Sequence, residues 1–200
     1  MQNAEMQNAD RCYSAAYETN EKPPSGLGLQ VMTLTDHFLA QLEAEAPKTR
    51  RALQNAPAGK DDWKPHDKSM PFGRLASLVA RMPSWVTLIV NQDALDLNPP
   101  GGSNLPQTPL RTAAELVKAH DDAVAEAIAT LRSTSDTHLM KHWKLQVSGN
   151  TVSDQPRHLV LRDTFMHWSH HRGQFTVYLR MNGATVPAIY GPSADDQRFE

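Results

Sequence analysis

The 200-residue sequence predicts an all-α fold, a four-helix bundle with long loops and a crossover connection. Three observations predict it. Four long stretches carry apolar residues at helical spacing. None of the segments between them alternates convincingly as a strand. The loop after the second stretch is long enough to cross the bundle, so simple up-and-down topology is not assumed.

Residues 1–29 are rich in Asn, Glu, Ala and Ser and end at Pro23-Pro24-Ser25-Gly26. They read as a flexible leader, with too little apolar surface to offset ordering entropy, ahead of one domain over 30–200. The first helix is expected from Asp36 to Gln54, with Thr35 or Asp36 as its cap. Pro47 should kink it or begin a second segment. A loop over 55–70 follows. The second helix is expected from Pro71 to Leu95, with Leu75, Leu78, Val79, Met82, Trp85, Val86 and Ile89 on one stripe and a bend at Pro83. Pro99-Pro100-Gly101-Gly102, Pro106 and Pro109 make the long loop. Thr112 and Glu115 match a capping box that opens the third helix, which runs to Ser133. Residues 134–157 read as irregular, with a short extended piece at Trp143 to Val147. The fourth helix is expected from about His158 to Asn182, stopped by Gly183, and the tail beyond as an ordered coil.

Composition excludes several classes. Lys and Arg number 20 against 22 Asp and Glu, a net charge of -2. A nucleic-acid binder usually carries a basic stripe, and none is present. No apolar run approaches the ~18 residues of a membrane span, and the N-terminus lacks a secretory pattern. The expected location is cytoplasmic, without nucleic-acid or membrane partners. Cys12 is the single cysteine, so no internal disulfide is available. No nucleophile elbow, dinucleotide fingerprint or phosphate loop occurs, and Gly101-Gly102 reads as a turn.

The fourth helix holds His167-Trp168-Ser169-His170-His171. At about 100° per residue, His167 and His171 lie about 40° apart, one turn apart along the axis. Both border the packed stripe and are expected to point into the bundle interior, while His170 is turned away. Two imidazoles at this spacing can aim at one metal ion. The same spacing also suits a buried polar network with one histidine at its edge. No glutamate follows His167, so the zinc-protease pattern is absent, and a third ligand would have to come from elsewhere.

Two stretches, the first beginning in this helix, resemble the DinB-like proteins. One is His167 to Gln174 with Tyr178-Leu179-Arg180 and the run Val186 to Asp195. The other is Asp62-Trp63-Lys64-Pro65-His66-Asp67-Lys68-Ser69-Met70, followed by Gly73-Arg74-Leu75-Ala76 and Met82-Pro83-Ser84-Trp85. The similarity covers roughly residues 33–196. It implies a four-helix bundle, often a homodimer, with a divalent metal (zinc or nickel) held by three histidines. Two of these match His167 and His171. The third belongs to a Leu-Ala-x-His stretch, which here reads Leu75-Ala76-Ser77-Leu78. Leu78 cannot coordinate a metal, so the implied centre is two-thirds complete. His66 is a possible additional ligand whose other role is loop anchoring, and His37 and His120 are weaker substitutes. The resemblance also implies thiol-dependent transferase or isomerase chemistry with a low-molecular-weight thiol and a small electrophile. In that case Leu78, Trp85, Gln174 and Tyr178 would line the pocket, and Arg172 would either attract an anionic conjugate or sit in a surface salt bridge. The alternative is a non-catalytic binding or structural bundle that has lost its metal.

Overall fold

The Thr33 hydroxyl accepts the Asp36 N–H at 3.0 Å, and the Asp36 carboxylate accepts the Thr33 N–H in return. This capping box starts helix α1, Leu34–Gln54. The start lies ahead of the expected Thr35 or Asp36 cap because a second carboxylate, from distant Asp136, accepts the Leu34 and Thr35 N–H groups at 3.0 and 3.1 Å. Orphan donors of a first turn are thereby satisfied through tertiary structure. In this computed structural model residues 32–102 and 109–199 are described. The leader over 1–29, with Cys12, and the middle of the long loop lie outside the described residues.

Helix α1 passes through Pro47 as one element, so of the two expected outcomes, a kink or a second segment, no second segment begins there. Proline there removes an intrahelical donor, and side chains from elsewhere reach the neighbouring carbonyls. His120 Nε2–H donates to Ala46 O at 3.0 Å, and Arg172 Nη1 donates to Glu45 O at 3.3 Å. The expected second helix is two helices, α2 Phe72–Arg81 and α3 Ser84–Asn91, with Pro71 outside the first turn of α2. Met82-Pro83 separates them. The Ser84 hydroxyl caps the break by donating to Arg81 O at 2.8 Å. The expected end at Leu95 is also corrected: the backbone is extended at Gln92 and enters strand β1, Ala94–Asp96.

Helix α4, Ala113–Ser133, has the expected Thr112–Glu115 capping box. A short helix α5, Asp136–Leu139, leads to strands β2, His142–Val147, and β3, Asn150–Pro156. The three strands form one sheet in the order β1-β2-β3; β2 contains the extended piece expected at Trp143 to Val147, while β1, β3 and their pairing into a sheet correct the expectation of helix end and irregular chain. Ser148 (φ 52°) and Gly149 (φ 80°) close the β2–β3 hairpin with two left-handed residues. Strands β1 and β2 run parallel, so the chain crosses from one to the other through α4 and α5. Helix α6, Arg157–Met181, closes the bundle and ends before Gly183, which adopts φ 72°.

Helices α4 and α6 each pack on α1, α2 and α3. The core between them includes Leu42, Leu53, Leu75, Val79, Leu131, Leu161, Phe175 and Leu179, all at most 1% exposed. Among the described residues no helix is long and apolar enough to cross a membrane.

Two buried arginines tie this frame together, and neither is evident from periodicity. Arg157 donates to the Ile89 and Gln92 carbonyls at the end of α3 and to His142 O on β2. It thus supplies donors to helix-end carbonyls that lack intrahelical partners. Arg172, 1% exposed, pairs with Glu45, 3% exposed, and also donates to Thr49 Oγ1 and the Tyr190 hydroxyl. The Tyr190 hydroxyl donates onward to Glu45 Oε2 at 2.8 Å. Arg172 is therefore neither a surface ion pair nor an open anion site. Burial pushes the Glu45 carboxyl up, but hydrogen bonds from Tyr190 and Arg172 and the Arg172 charge outweigh it and hold the group below its usual value.

Removing one partner of this pair strands a buried charge. Arg172→Met is expected to cost about 3–5 kcal/mol, read as a lowered urea midpoint, and adding Glu45→Leu should recover much of the loss. Because the Glu45 carboxyl is depressed in the folded chain, its contribution is complete above the usual value of 4.5 and is lost as pH falls through the folded value. Between about pH 5 and pH 3, the natural chain should lose more stability than Glu45→Gln. Equal pH slopes would refute that assignment.

Candidate functional site

Helix α6 presents its core stripe through Leu161, Thr164, Phe165, Trp168, Arg172, Phe175 and Leu179. His167 and His171 each precede one of these inward residues, so they fall on the flank of the stripe and not in the bundle interior. His167 is exposed and His171 half-buried. Their Nε2 atoms meet at 2.8 Å, and the two rings lie 4.5 Å apart between centroids.

With the Gln174 amide set so that Oε1 faces His171, one proton arrangement is assigned across the pair. His171 Nδ1 stands 2.8 Å from Gln174 Oε1, which can only accept. The His171 proton is therefore on Nδ1, its Nε2 carries the lone pair, and His167 Nε2–H donates across the pair. The edge of His167 meets the Trp85 ring at 5.6 Å between centroids. Burial lowers the His167 pKa, and the charges of His171 and His170 lower it further.

The residues fit a metal only in part. Two nitrogens on a tetrahedral zinc at about 2.0–2.1 Å would stand about 3.3 Å apart. The pair would need to open only slightly and His167 to release its Nε2 proton. Gln174 already orients the second imidazole in the way an outer hydrogen bond orients a ligand. A three-histidine centre does not fit. Among the described residues no group of three His, Cys, Asp or Glu side chains could hold a metal ion. Leu78 packs against the core and offers no donor atom. His66 is exposed and its Nδ1 accepts the Lys68 N–H at 3.1 Å, anchoring its own loop. His120 is buried and bonded to Ala46 O, and His37 is exposed against Phe38.

A cavity of about 740 Å³ lies along α2 and α3, and Leu78 and Trp85 line it. Trp85 thus borders both the cavity and the histidine pair. Tyr178 instead supports the loop before α2, with its hydroxyl donating to Met70 O at 3.2 Å and its ring edge-on to Trp63. Gln174 is exposed beside His171. The arginines of the cavity wall, Arg74, Arg81 and Arg111, were not singled out from sequence. The available signal was Arg74 and Arg81 seven apart on the face that carries Leu78.

Comparison with known proteins agrees with this architecture. A model of the DinB family matches residues 31–198. The uncharacterized protein YrdA of Bacillus subtilis (strain 168) is 28% identical over 162 residues, 80% of this chain and 90% of its own. A crystal structure of a DinB-like protein from Bacillus cereus ATCC 10987 superposes with a TM-score of 0.61 at 18% identity, covering 80% of this chain and 99% of that one. A second, of a DinB-like protein from Bacillus subtilis, gives 0.58 at 16% identity, with 81% and 99% covered.

One glycine holds the cavity wall in place. Gly73 N–H donates to Asp61 O at 2.9 Å, and a Cβ at Gly73 would lie 2.9 Å from Asp61 Oδ1 and 3.2 Å from Asp61 Cα. Gly73→Ala therefore requires the Asp61 side chain to turn and its Cα to give by a few tenths of an ångström. The expected cost is about 1–3 kcal/mol, with a changed Trp63 emission spectrum. Unchanged stability and emission would show that the loop yields freely.

Proposed function

This chain belongs to the DinB family, and on that premise we propose that it binds a divalent metal weakly through His167 and His171. The pair is then the retained part of a three-histidine centre, placed beside a small-molecule cavity. The 2.8 Å convergence of the two Nε2 atoms carries this reading. When bound, a metal would supply a lowered thiol pKa and a site for the thiolate, the chemistry of a thiol-dependent transferase or isomerase. The chain's own residues set the conditions for it. Gln174 holds His171 Nδ1–H and leaves Nε2 as the ligand atom. Trp85 packs against one side of the exposed His167 ring. Zinc and nickel both suit imidazole nitrogen. With Leu78 in the third position, the remaining ligands come from outside the chain, from water or from the small thiol itself.

Leu78 favours a second reading, a metal-free binding bundle. Elemental analysis and zinc or nickel titration of protein without a histidine tag distinguish the two. The natural chain is expected to bind substoichiometrically. Leu78→His should tighten binding by about tenfold or more, and His167→Ala should abolish it. Full, tight occupancy unaffected by His167→Ala would overturn the assignment. No uptake by either the natural chain or Leu78→His would favour the metal-free bundle.

A further inference from the structure

The cavity along α2 has a chemistry of its own, apart from the histidine pair. Arg74, Leu78 and Arg81 follow one another on one face of α2, at successive helical turns. Leu110 and Arg111 form the facing wall from the segment that enters α4. The Leu110 N–H donates to the Ser77 hydroxyl at 3.3 Å and holds that wall against the helix. Three guanidinium groups therefore face a cavity that holds two carboxylates, those of Asp61 and Asp62. The carboxylates come from the loop fastened to Gly73 at the start of α2. The rest of the lining combines arginine with the apolar surfaces of Leu78, Leu110 and Trp85. Among the described residues Arg74 makes no hydrogen bond or ion pair, and its donors are available to a ligand. A volume of about 740 Å³ lies within the ~300–1,000 Å³ usual for small-molecule sites.

We propose that this cavity binds a small organic anion. Its apolar body rests on Leu78, Leu110 and Trp85, and its acid group is held by Arg74 and Arg111. Planar guanidinium donors match the paired oxygens of a carboxylate, sulfonate or phosphate. The apolar wall beside them confines the ligand to molecules that also carry hydrocarbon or aromatic surface. The site does not depend on metal.

Anilinonaphthalenesulfonate, which joins aromatic rings to a sulfonate, tests this directly, with phenylnaphthylamine as the same ring system without the acid. Both are titrated into the full folded chain in the presence of a chelator, with dye emission and quenching of tryptophan as readouts. Failure here is thereby separated from failure of the metal reading. The sulfonate should bind saturably at one site, about tenfold or more tighter than the neutral probe. The double variant Arg74→Gln/Arg111→Gln should weaken the sulfonate by about tenfold and leave the neutral probe unchanged. Arg111→Lys should recover part of the loss, and urea midpoints confirm that the variants are folded. Equal affinity for the two probes, no saturable binding, or insensitivity to the double variant would overturn the proposal.

Discussion

Arg172 carries a guanidinium that is 1% exposed into the space between α1 and α6, where Glu45, Thr49 and the Tyr190 hydroxyl surround it. Lys48 approaches the same carboxylate from the other side, at 3.1 Å from Glu45 Oε1. Such a pair gives up so much hydration that its net stabilisation is small, but the cost of separating it is large. Its effect is therefore on geometry. Helix α6 has one rotation about its axis that brings Arg172 to Glu45. Trp168, one turn earlier, is then also turned inward, and its indole N–H donates to Val79 O at 3.1 Å. With those two residues inside, His167 and His171 are set on the flank. The tail is drawn into the same arrangement, because Tyr190 reaches the pair from beyond the end of α6.

The rest of the frame works by the same rule: polar groups that must be buried are placed where another element needs a donor or acceptor. Arg157 gives the end of α3 its missing donors and joins it to β2. Asp136 gives the start of α1 its missing acceptor. Asp96 accepts the Ser148 and Gly149 N–H groups and fastens β1 to the hairpin turn; hydrogen bonds of this kind, that from Asn98 N–H first, hold its carboxyl below the usual range. Apart from the local Asn98 bond, these run between charged side chains and backbone far apart in sequence, and they stabilise junctions more than element interiors.

Two chemically different places lie side by side on the bundle. The histidine pair is narrow, partly exposed and oriented by Gln174. The cavity is broad, lined by arginine and leucine, and bordered by the loop on Gly73. Trp85 belongs to both. Leu78 lines the cavity, so the chemistry there is governed by arginine and apolar contact, not by imidazole.

The amino-acid sequence by itself determined the four bundle segments, the Thr112–Glu115 start, the Gly183 stop and the His167–His171 spacing. Each is encoded within a few neighbouring residues, as periodicity, a cap or one helical turn. The sheet was only faintly legible, because Trp143 is its one fully buried side chain and a strand that covers little core shows little alternation. The Ser148-Gly149 turn was the local signal available for it. Tertiary structure alone decided the partners of Arg157 and Arg172, the passage of α1 through Pro47, the exposure of the histidine pair and the cavity wall made by Arg74, Arg81 and Arg111. All of these depend on residues far apart in sequence, and a charged residue in a helix pattern carries no mark of whether its partner is water or a carboxylate on another helix. Spacing could place two imidazoles together; only packing could set which way they face.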